Sequence, residues 1–174
     1  MRGVRAALSA AFAMGFVTGA LAQSVKDPSG LALNPPQGYS AELVPNSGFT
    51  ARIATYRQDD QNTACFVDFQ GPLSGAIAKL TQPQLNTLNR EIDHKEGMKG
   101  HFEARGTTEF IEHAGVTGAA LDGNFTTAPT FASLLVAYYT TRGRTTVSCF
   151  TRPDDFAARR PEFLTVAQSI TFPP

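Results

Sequence analysis

Only two cysteines, Cys65 and Cys149, occur in this chain of 174 residues, and they follow an N-terminal stretch built like an export signal. A chain delivered to an oxidising compartment with one pair of thiols is expected to join them, and that bridge dictates which two distant segments touch. It would close a loop of roughly 85 residues, which chain-entropy reasoning values at about 4–5 kcal/mol as an upper figure. A redox role is poorly served. There is no Cys-x-x-Cys pair, and no cationic residue adjoins either sulfur in sequence to favour the thiolate. Two free buried thiols and an intermolecular bridge are the alternatives to an internal disulfide.

The export signal has three parts. Arg2 and Arg5 make a short basic region, residues 6–17 an apolar stretch, and Ala20-Leu21-Ala22 a small-x-small cleavage site. Thr18 and Gly19 break the apolar stretch short of the roughly 20 residues that a spanning helix needs. A permanent N-terminal anchor is the alternative. The expectation is a signal peptide over 1–22 cleaved after Ala22, a flexible leader over 23–29, and a single domain over 30–174. The product would be a periplasmic or secreted monomer with no membrane insertion after cleavage. No cysteine follows the cleavage site to carry a lipid.

Fifteen acidic residues balance fifteen basic ones, of which the signal removes Arg2 and Arg5. A near-neutral, slightly acidic mature chain lacks the basic surface that neutralises phosphates, which argues against nucleic acid and against an anionic membrane surface. Thirteen Phe and no Trp stand out, and a core built on Phe accounts for them.

Most of the chain alternates short β-rich runs with turn signals. Leu31–Leu33 stops at Asn34-Pro35-Pro36, and Pro45-Asn46-Ser47-Gly48 separates Tyr39–Val44 from Phe49–Tyr56. In Ala64–Gln70, Cys65, Val67 and Phe69 share one face and Ala64, Phe66 and Asp68 the other, the pattern of an interior strand. Leu85, Leu88 and Ile92 then fall at helical spacing behind Thr81-Gln82-Pro83, a cap with Pro just inside the start. This predicts a helix to about Asp93, with a looser turn or helix near Lys95–Ala104. Thr107–His113 and Val116–Thr126 flank Ala114-Gly115. Phe131–Thr141 and Arg144–Thr151 flank Arg142-Gly143, a two-residue connection whose Gly accepts positive φ. That loop sets Thr141 opposite Arg144, Tyr139 opposite Thr146, Tyr138 opposite Val147 and Val136 opposite Cys149. Leu134, Val136, Tyr138, Val147 and Cys149 then share one side, and Leu135, Tyr139 and Phe150 the other. A final helix begins near Asp154-Asp155, pairs Asp155 with Arg159, restarts at Pro161 and buries Phe163, Ala167 and Ile170, before a short extended piece over Ser169–Phe172. The sum is an α+β domain: an antiparallel sheet of five or six strands covered by a central helical block and a C-terminal helix.

No residue constellation announces catalysis. Ser74 lacks the Gly-x-Ser-x-Gly elbow. His94 and His101 are seven apart with Glu91 nearby, but Gly97 and Gly100 weaken the helix that zinc ligation at this spacing would need, so solvated surface histidines are expected, with His113 at an exposed strand tip. Asp59-Asp60 and Asp154-Asp155 suit turns and caps. Asn124-Phe125-Thr126 matches a glycosylation sequon that a bacterial-type signal makes irrelevant. No phosphate loop or dinucleotide fingerprint occurs, so no cofactor, metal or catalytic residue is assigned. The candidate binding surface is the hairpin tip: Arg142 and Arg144 with Tyr139 one pleat away, a cation–aromatic group able to grip a carboxylate or a partner loop. A solvated turn whose charges discourage edge pairing is the plain alternative.

The opening Leu31-Ala32-Leu33-Asn34-Pro35-Pro36-Gln37-Gly38-Tyr39 and the closing Phe163-Leu164-Thr165-Val166-Ala167-Gln168-Ser169-Ile170-Thr171-Phe172 resemble the PsbP-like α+β fold, and small exported bacterial proteins of no assigned activity. The resemblance implies a non-enzymatic accessory role. It carries over no functional residue, and the cysteine pair is not part of its general pattern. The leading expectation is an exported module that binds a protein or small ligand of unknown identity. The alternatives are a small periplasmic hydrolase whose polar residues converge only in three dimensions, and an envelope protein with no discrete pocket. A deep cleft with polar groups from different strands would favour catalysis, and a shallow apolar patch partner binding.

Overall fold

The computed structural model describes residues 23–174, so the signal peptide expected over 1–22 lies outside the described residues. Ten strands and three helices follow in the order β1 (Val25–Lys26), β2 (Ala32–Leu33), β3 (Tyr39–Leu43), β4 (Ala51–Arg57), β5 (Ala64–Gln70), α1 (Gln82–Glu91), α2 (His94–Met98), β6 (Phe102–His113), β7 (Val116–Phe125), β8 (Ala132–Thr140), β9 (Gly143–Thr151), α3 (Phe156–Ala167) and β10 (Ile170–Thr171). The fold is α+β and antiparallel. The sheet is larger than the five or six strands expected: seven strands run β3-β4-β5-β9-β8-β7-β6, and a separate three-stranded sheet runs β1-β2-β10. All seven β-rich runs from Tyr39–Val44 to Arg144–Thr151 form strands of the large sheet, so the count of five or six was lower than the runs themselves; of the short segments only Val25–Lys26 was unforeseen. Within 23–29, expected as a flexible leader, Val25–Lys26 pairs with Ala32–Leu33.

The large sheet consists of two meanders, β3-β4-β5 and β6-β7-β8-β9, in which sequence neighbours pair through short turns. They meet at one non-sequential seam, β5 against β9, where Cys65 lies directly opposite Cys149 and the two sulfurs are bonded. The seam also aligns Val67 with Val147 and Phe69 with Thr145. On this face the main core forms, with Ile53, Val67, Leu134, Val136 and Tyr138 under Phe163, Val166 and Ala167 of α3. Ile170 is buried with them, but from β10 rather than from the helix.

The β8–β9 connection corrects the expected register. The turn is Thr141-Arg142, and Thr140 pairs with Gly143, Tyr139 with Arg144, Tyr138 with Thr145 and Leu134 with Cys149. Each partner is displaced by two residues, so every side chain keeps the face assigned to it. Thr140 closes the turn: its hydroxyl accepts from the Arg142 N–H and donates to the Gly143 carbonyl, both at 3.2 Å. Gly143 does not supply positive φ. A Cβ there would lie 2.5 Å from the Gln70 carbonyl oxygen and 2.9 Å from the Gly71 Cα, so glycine is needed for the close approach of a neighbouring strand.

Helix α1 starts as its cap predicts, with Gln84 accepting from both the backbone N–H and the hydroxyl of Thr81 at 2.9 Å. Asp93 then accepts from Lys95 N and Glu96 N and starts α2, which ends at Met98; the stretch from Phe102 expected to be loosely helical is already strand. Strand β6 starts well before Thr107 because Phe102–Arg105 pairs with Asp122–Phe125, and a register shift between Arg105 and Glu109 divides it. Asn89, fully buried, fastens α1 to the sheet by donating to the carbonyls of Thr117 at 2.7 Å and Ala137 at 3.1 Å.

Helix α3 runs unbroken through Pro161, where a restart was expected. Ion pairs on both sides of the proline hold the two halves in line and offset the one backbone bond it cannot make. Arg160 binds Asp122 at 2.8 Å and Glu109 at 2.6 Å, while Glu162 accepts from Tyr39 Oη at 2.9 Å and from Arg57. Arg159 pairs with Glu162 and Asp60, not with Asp155, which is engaged by Arg152.

Two phenols make this core sensitive to alkali. Burial, then the Glu162 carboxylate, pushes the Tyr39 hydroxyl above its ordinary range, and burial does the same to Tyr138 with the Glu112 charge adding to it. An unfolded tyrosine releases its proton near pH 10, so above that pH the folded chain holds protons the unfolded chain has shed. Stability is therefore fully present below about pH 10 and falls as pH rises further, by up to about 1.4 kcal/mol per pH unit for each tyrosine. Guanidinium unfolding between pH 9 and 11 should show this slope, and Tyr39→Phe should reduce it. A pH-independent midpoint over that range would contradict the assignment.

Candidate functional site

With α3 over one face of the large sheet, the opposite face is covered unevenly. At the β6–β8 end, Met98 of α2 packs with Phe102, Leu121 and Leu135 in a second, smaller core. Over β5 and β9 none of the described helices covers the face, and a cleft of about 500 Å³ opens there. Cross-strand pairing sets its floor in three rows. Arg52, Asp68 and Thr146 form the first, Phe66, Ser148 and Leu135 the second, Phe150 and Ser133 the third. One wall is Phe49 before β4; the other is Met98 together with the β7–β8 connection. That connection is braced by Asn124, whose amide donates to the carbonyls of Pro129 at 3.0 Å and Phe131 at 2.7 Å. Asn124 of the sequon is thus buried and engaged in the fold.

The aromatic rings form a continuous band across the cleft. Phe150 lies 5.8 Å from Phe66 and 5.7 Å from Phe131, centroid to centroid. The Arg52 guanidinium sits between Phe49 at 4.6 Å and Phe66 at 5.0 Å while its Nε and Nη2 donate to the two carboxylate oxygens of Asp68. The Asp68 hydrogen bonds and charge hold the Arg52 guanidinium above its ordinary range, against the opposing effect of burial. Thr146 and Ser148 expose hydroxyls that make no side-chain hydrogen bond among the described residues, and the buried Ser133 hydroxyl in the third row also has no partner among them. Arg144 stands at the cleft's end with no acidic group in ion-pair contact among the described residues.

Chemically the cleft can hold an apolar group and offer a cation and hydroxyls to it. Among the described residues that line it there is no histidine, its one acid is held by Arg52, and neither free hydroxyl is hydrogen-bonded to a base. Among the described residues no cluster of three or more metal-ligating side chains stands together. His94, expected at the surface, is buried with Nε2 2.7 Å from the Asn89 carbonyl oxygen. His113, expected as an exposed tip, is half-buried, with Nε2 2.7 Å from the Ile170 carbonyl oxygen. Both rings are held by backbone carbonyls, the His94 ring by one in the last turn of α1 just before it and the His113 ring by one in β10. His101 is exposed, as expected.

The three residues proposed at the hairpin tip divide. Tyr139 and Arg144 are direct cross-strand partners on the cleft face. Arg142 lies in the turn and borders a different depression, with His113 and the C-terminal residues Ile170–Pro174. Sequence reasoning missed Phe49, Arg52, Phe131 and Met98 as site residues. The usable signal was the alternation that put Phe66 and Asp68 on one face of β5, and Leu135 and Phe150 on the matching face of β8 and β9. The excess of Phe was read as core, and five of the eleven phenylalanines among the described residues line the cleft.

No protein-family model matches the chain, and no curated protein matches it. Solved structures do. Cyanobacterial PsbP (CyanoP) from Synechocystis sp. PCC 6803 aligns with 94% of this chain and 98% of its own at 15% identity, with a TM-score of 0.55. A protein of unknown function from Pseudomonas aeruginosa, described as a putative regulator, covers 87% of this chain and 97% of its own at 15% identity, with a TM-score of 0.46. The first likeness is one of fold: the chain has a PsbP-like arrangement of sheet and helices over nearly its whole described length.

Proposed function

We propose that this chain is an exported binding module without catalytic activity, and that its ligand site is the Phe-lined cleft over β5, β9 and β8. The observation that carries the reading is the bare half-face itself. Five phenylalanines converge there around free hydroxyls, in a volume within the range of small-molecule sites, on a sheet whose other face carries the main core under α3. Exposed apolar surface of this kind is costly unless something covers it. The PsbP-like fold and the single bridge accord with an accessory role. The hydrolase reading has a cleft with polar groups from two strands in its favour, but lacks a base beside either hydroxyl. No helix among the described residues is long and apolar enough to cross a membrane.

The chain has no tryptophan, so an extrinsic fluorophore is the direct probe. N-phenyl-1-naphthylamine, neutral and apolar, should bind saturably with one site per chain and brighten as it leaves water. Ser148→Phe and Thr146→Phe each fill the cleft from its floor and should weaken that binding at least about tenfold, the loss expected when a ligand-sized apolar contact of about 1.4 kcal/mol or more is removed. Their thermal midpoints report that the fold is kept. Equal binding to both filled variants would place the site elsewhere. Export is tested on the secreted protein by intact mass, which should correspond to a chain starting at Gln23 and two hydrogens lighter than its reduced form.

A further inference from the structure

We propose that the ligand is an amphipathic organic anion, lying along β9 with its charged head on Arg144 and its apolar body among Phe66, Phe131 and Phe150. This rests on the cleft being the ligand site and goes further by naming the chemistry of its occupant. The cleft face of β9 reads Arg144, Thr146, Ser148, Phe150: a cation, two hydroxyls, then a ring. Alternate residues of a strand share a face at about 3.3 Å rise per residue, so this gradient from charge to aromatic extends over about 20 Å.

The charges decide the sign of the head. Arg52 and Asp68 neutralise each other through two hydrogen bonds, and the rings of Phe49 and Phe66 enclose the guanidinium. Among the described residues that line the cleft, that leaves Arg144 as the one uncompensated charge. Its cross-strand neighbours are Gln70 on β5 and Tyr139 on β8, both neutral and both able to hydrogen-bond an anion. A carboxylate or sulfonate fits a guanidinium through two parallel hydrogen bonds, and the half-buried, ring-lined setting strengthens the attraction over that in water. A cationic head would meet Arg144 with no free acid to receive it. Tyr139 borders a neighbouring depression that shares Arg144 with the cleft, whereas Arg142, on the turn, borders neither.

The experiment uses the oxidised mature chain with N-phenyl-1-naphthylamine bound, and two displacing amphiphiles of like chain length and opposite charge, laurate and dodecyltrimethylammonium, below their micelle-forming concentrations. Laurate should displace the probe at concentrations at least about tenfold lower than the cation, the effect of one charge-assisted hydrogen-bonded contact. Arg144→Gln should erase that preference, and Arg144→Lys, which keeps the charge but loses the two-point geometry, should retain part of it. Equal displacement by both amphiphiles, or a preference that persists in Arg144→Gln, would overturn the anionic assignment while leaving the cleft as the site. Absence of saturable probe binding to the unaltered chain would overturn both.

Discussion

Replacing both cysteines, as Cys65→Ala/Cys149→Ala, should lower stability by about 4 kcal/mol, close to the full loop-closure value for the 84-residue separation. The position of the bridge is the reason for expecting so much. Every other pairing in the seven-stranded sheet joins strands adjacent in sequence, and short turns keep those strands together even in a partly ordered chain. The β5–β9 seam has no such help, because all of α1, α2 and β6–β8 intervene. The disulfide removes from the unfolded chain the freedom that this one long closure must otherwise overcome. Alanine is the right replacement, since both sulfurs are fully buried and a hydroxyl there would add its own desolvation penalty. The thermal midpoint should drop by about 8–16 °C, at roughly 2–4 °C per kcal/mol for a chain of this size. A reductant should lower the midpoint of the unaltered chain toward that of the variant and leave the variant unmoved. If reductant changes neither, the sulfurs are not joined.

A comparable loss should follow from Gly118→Val, about 3 kcal/mol or more. Gly118 lies opposite Tyr138 on the core face, and a Cβ there would sit 2.4 Å from the phenol's Cε1 and 2.9 Å from Cδ1 and Cζ. The ring cannot yield. It is fully buried, its hydroxyl donates to the Ala167 carbonyl at 3.1 Å, and Phe172 stands edge-on to it at 5.2 Å. Overpacking a site of this kind costs about 1–3 kcal/mol or more, and valine adds two methyls to the Cβ already in conflict. Tyr138→Ala alone should cost about 3–5 kcal/mol through lost burial and the cavity left behind. The two changes touch the same space, so the double variant should be clearly more stable than the sum of the single effects implies. Strict additivity in urea unfolding would show that Gly118 is not glycine on account of the ring.

Most of the local order is legible without coordinates. Faces along β5, β8 and β9 followed from two-residue alternation, the start of α1 from Thr81 and Pro83, and the union of Cys65 with Cys149 from there being no other cysteine. Errors arose where a neighbour from elsewhere intervened. Gly143 reads as turn chemistry but serves the approach of Gln70, which moves the hairpin register by two residues. Pro161 reads as a helix start but is bridged by ion pairs to β4, β6 and β7. His113 reads as an exposed strand tip but is held by the Ile170 carbonyl of β10, and His94 reads as a surface residue but is buried against the end of α1.

The same division runs through the candidate site. That Phe66, Asp68, Ser148 and Phe150 share a face is a property of the pleat, which repeats every two residues regardless of partners. That this face stays open over β5 and β9, while Met98 closes it near β6, depends on where α2 settles once both meanders have joined. A pleat is local and is written residue by residue; a cleft is the space left between segments far apart in the chain, and only their packing decides it.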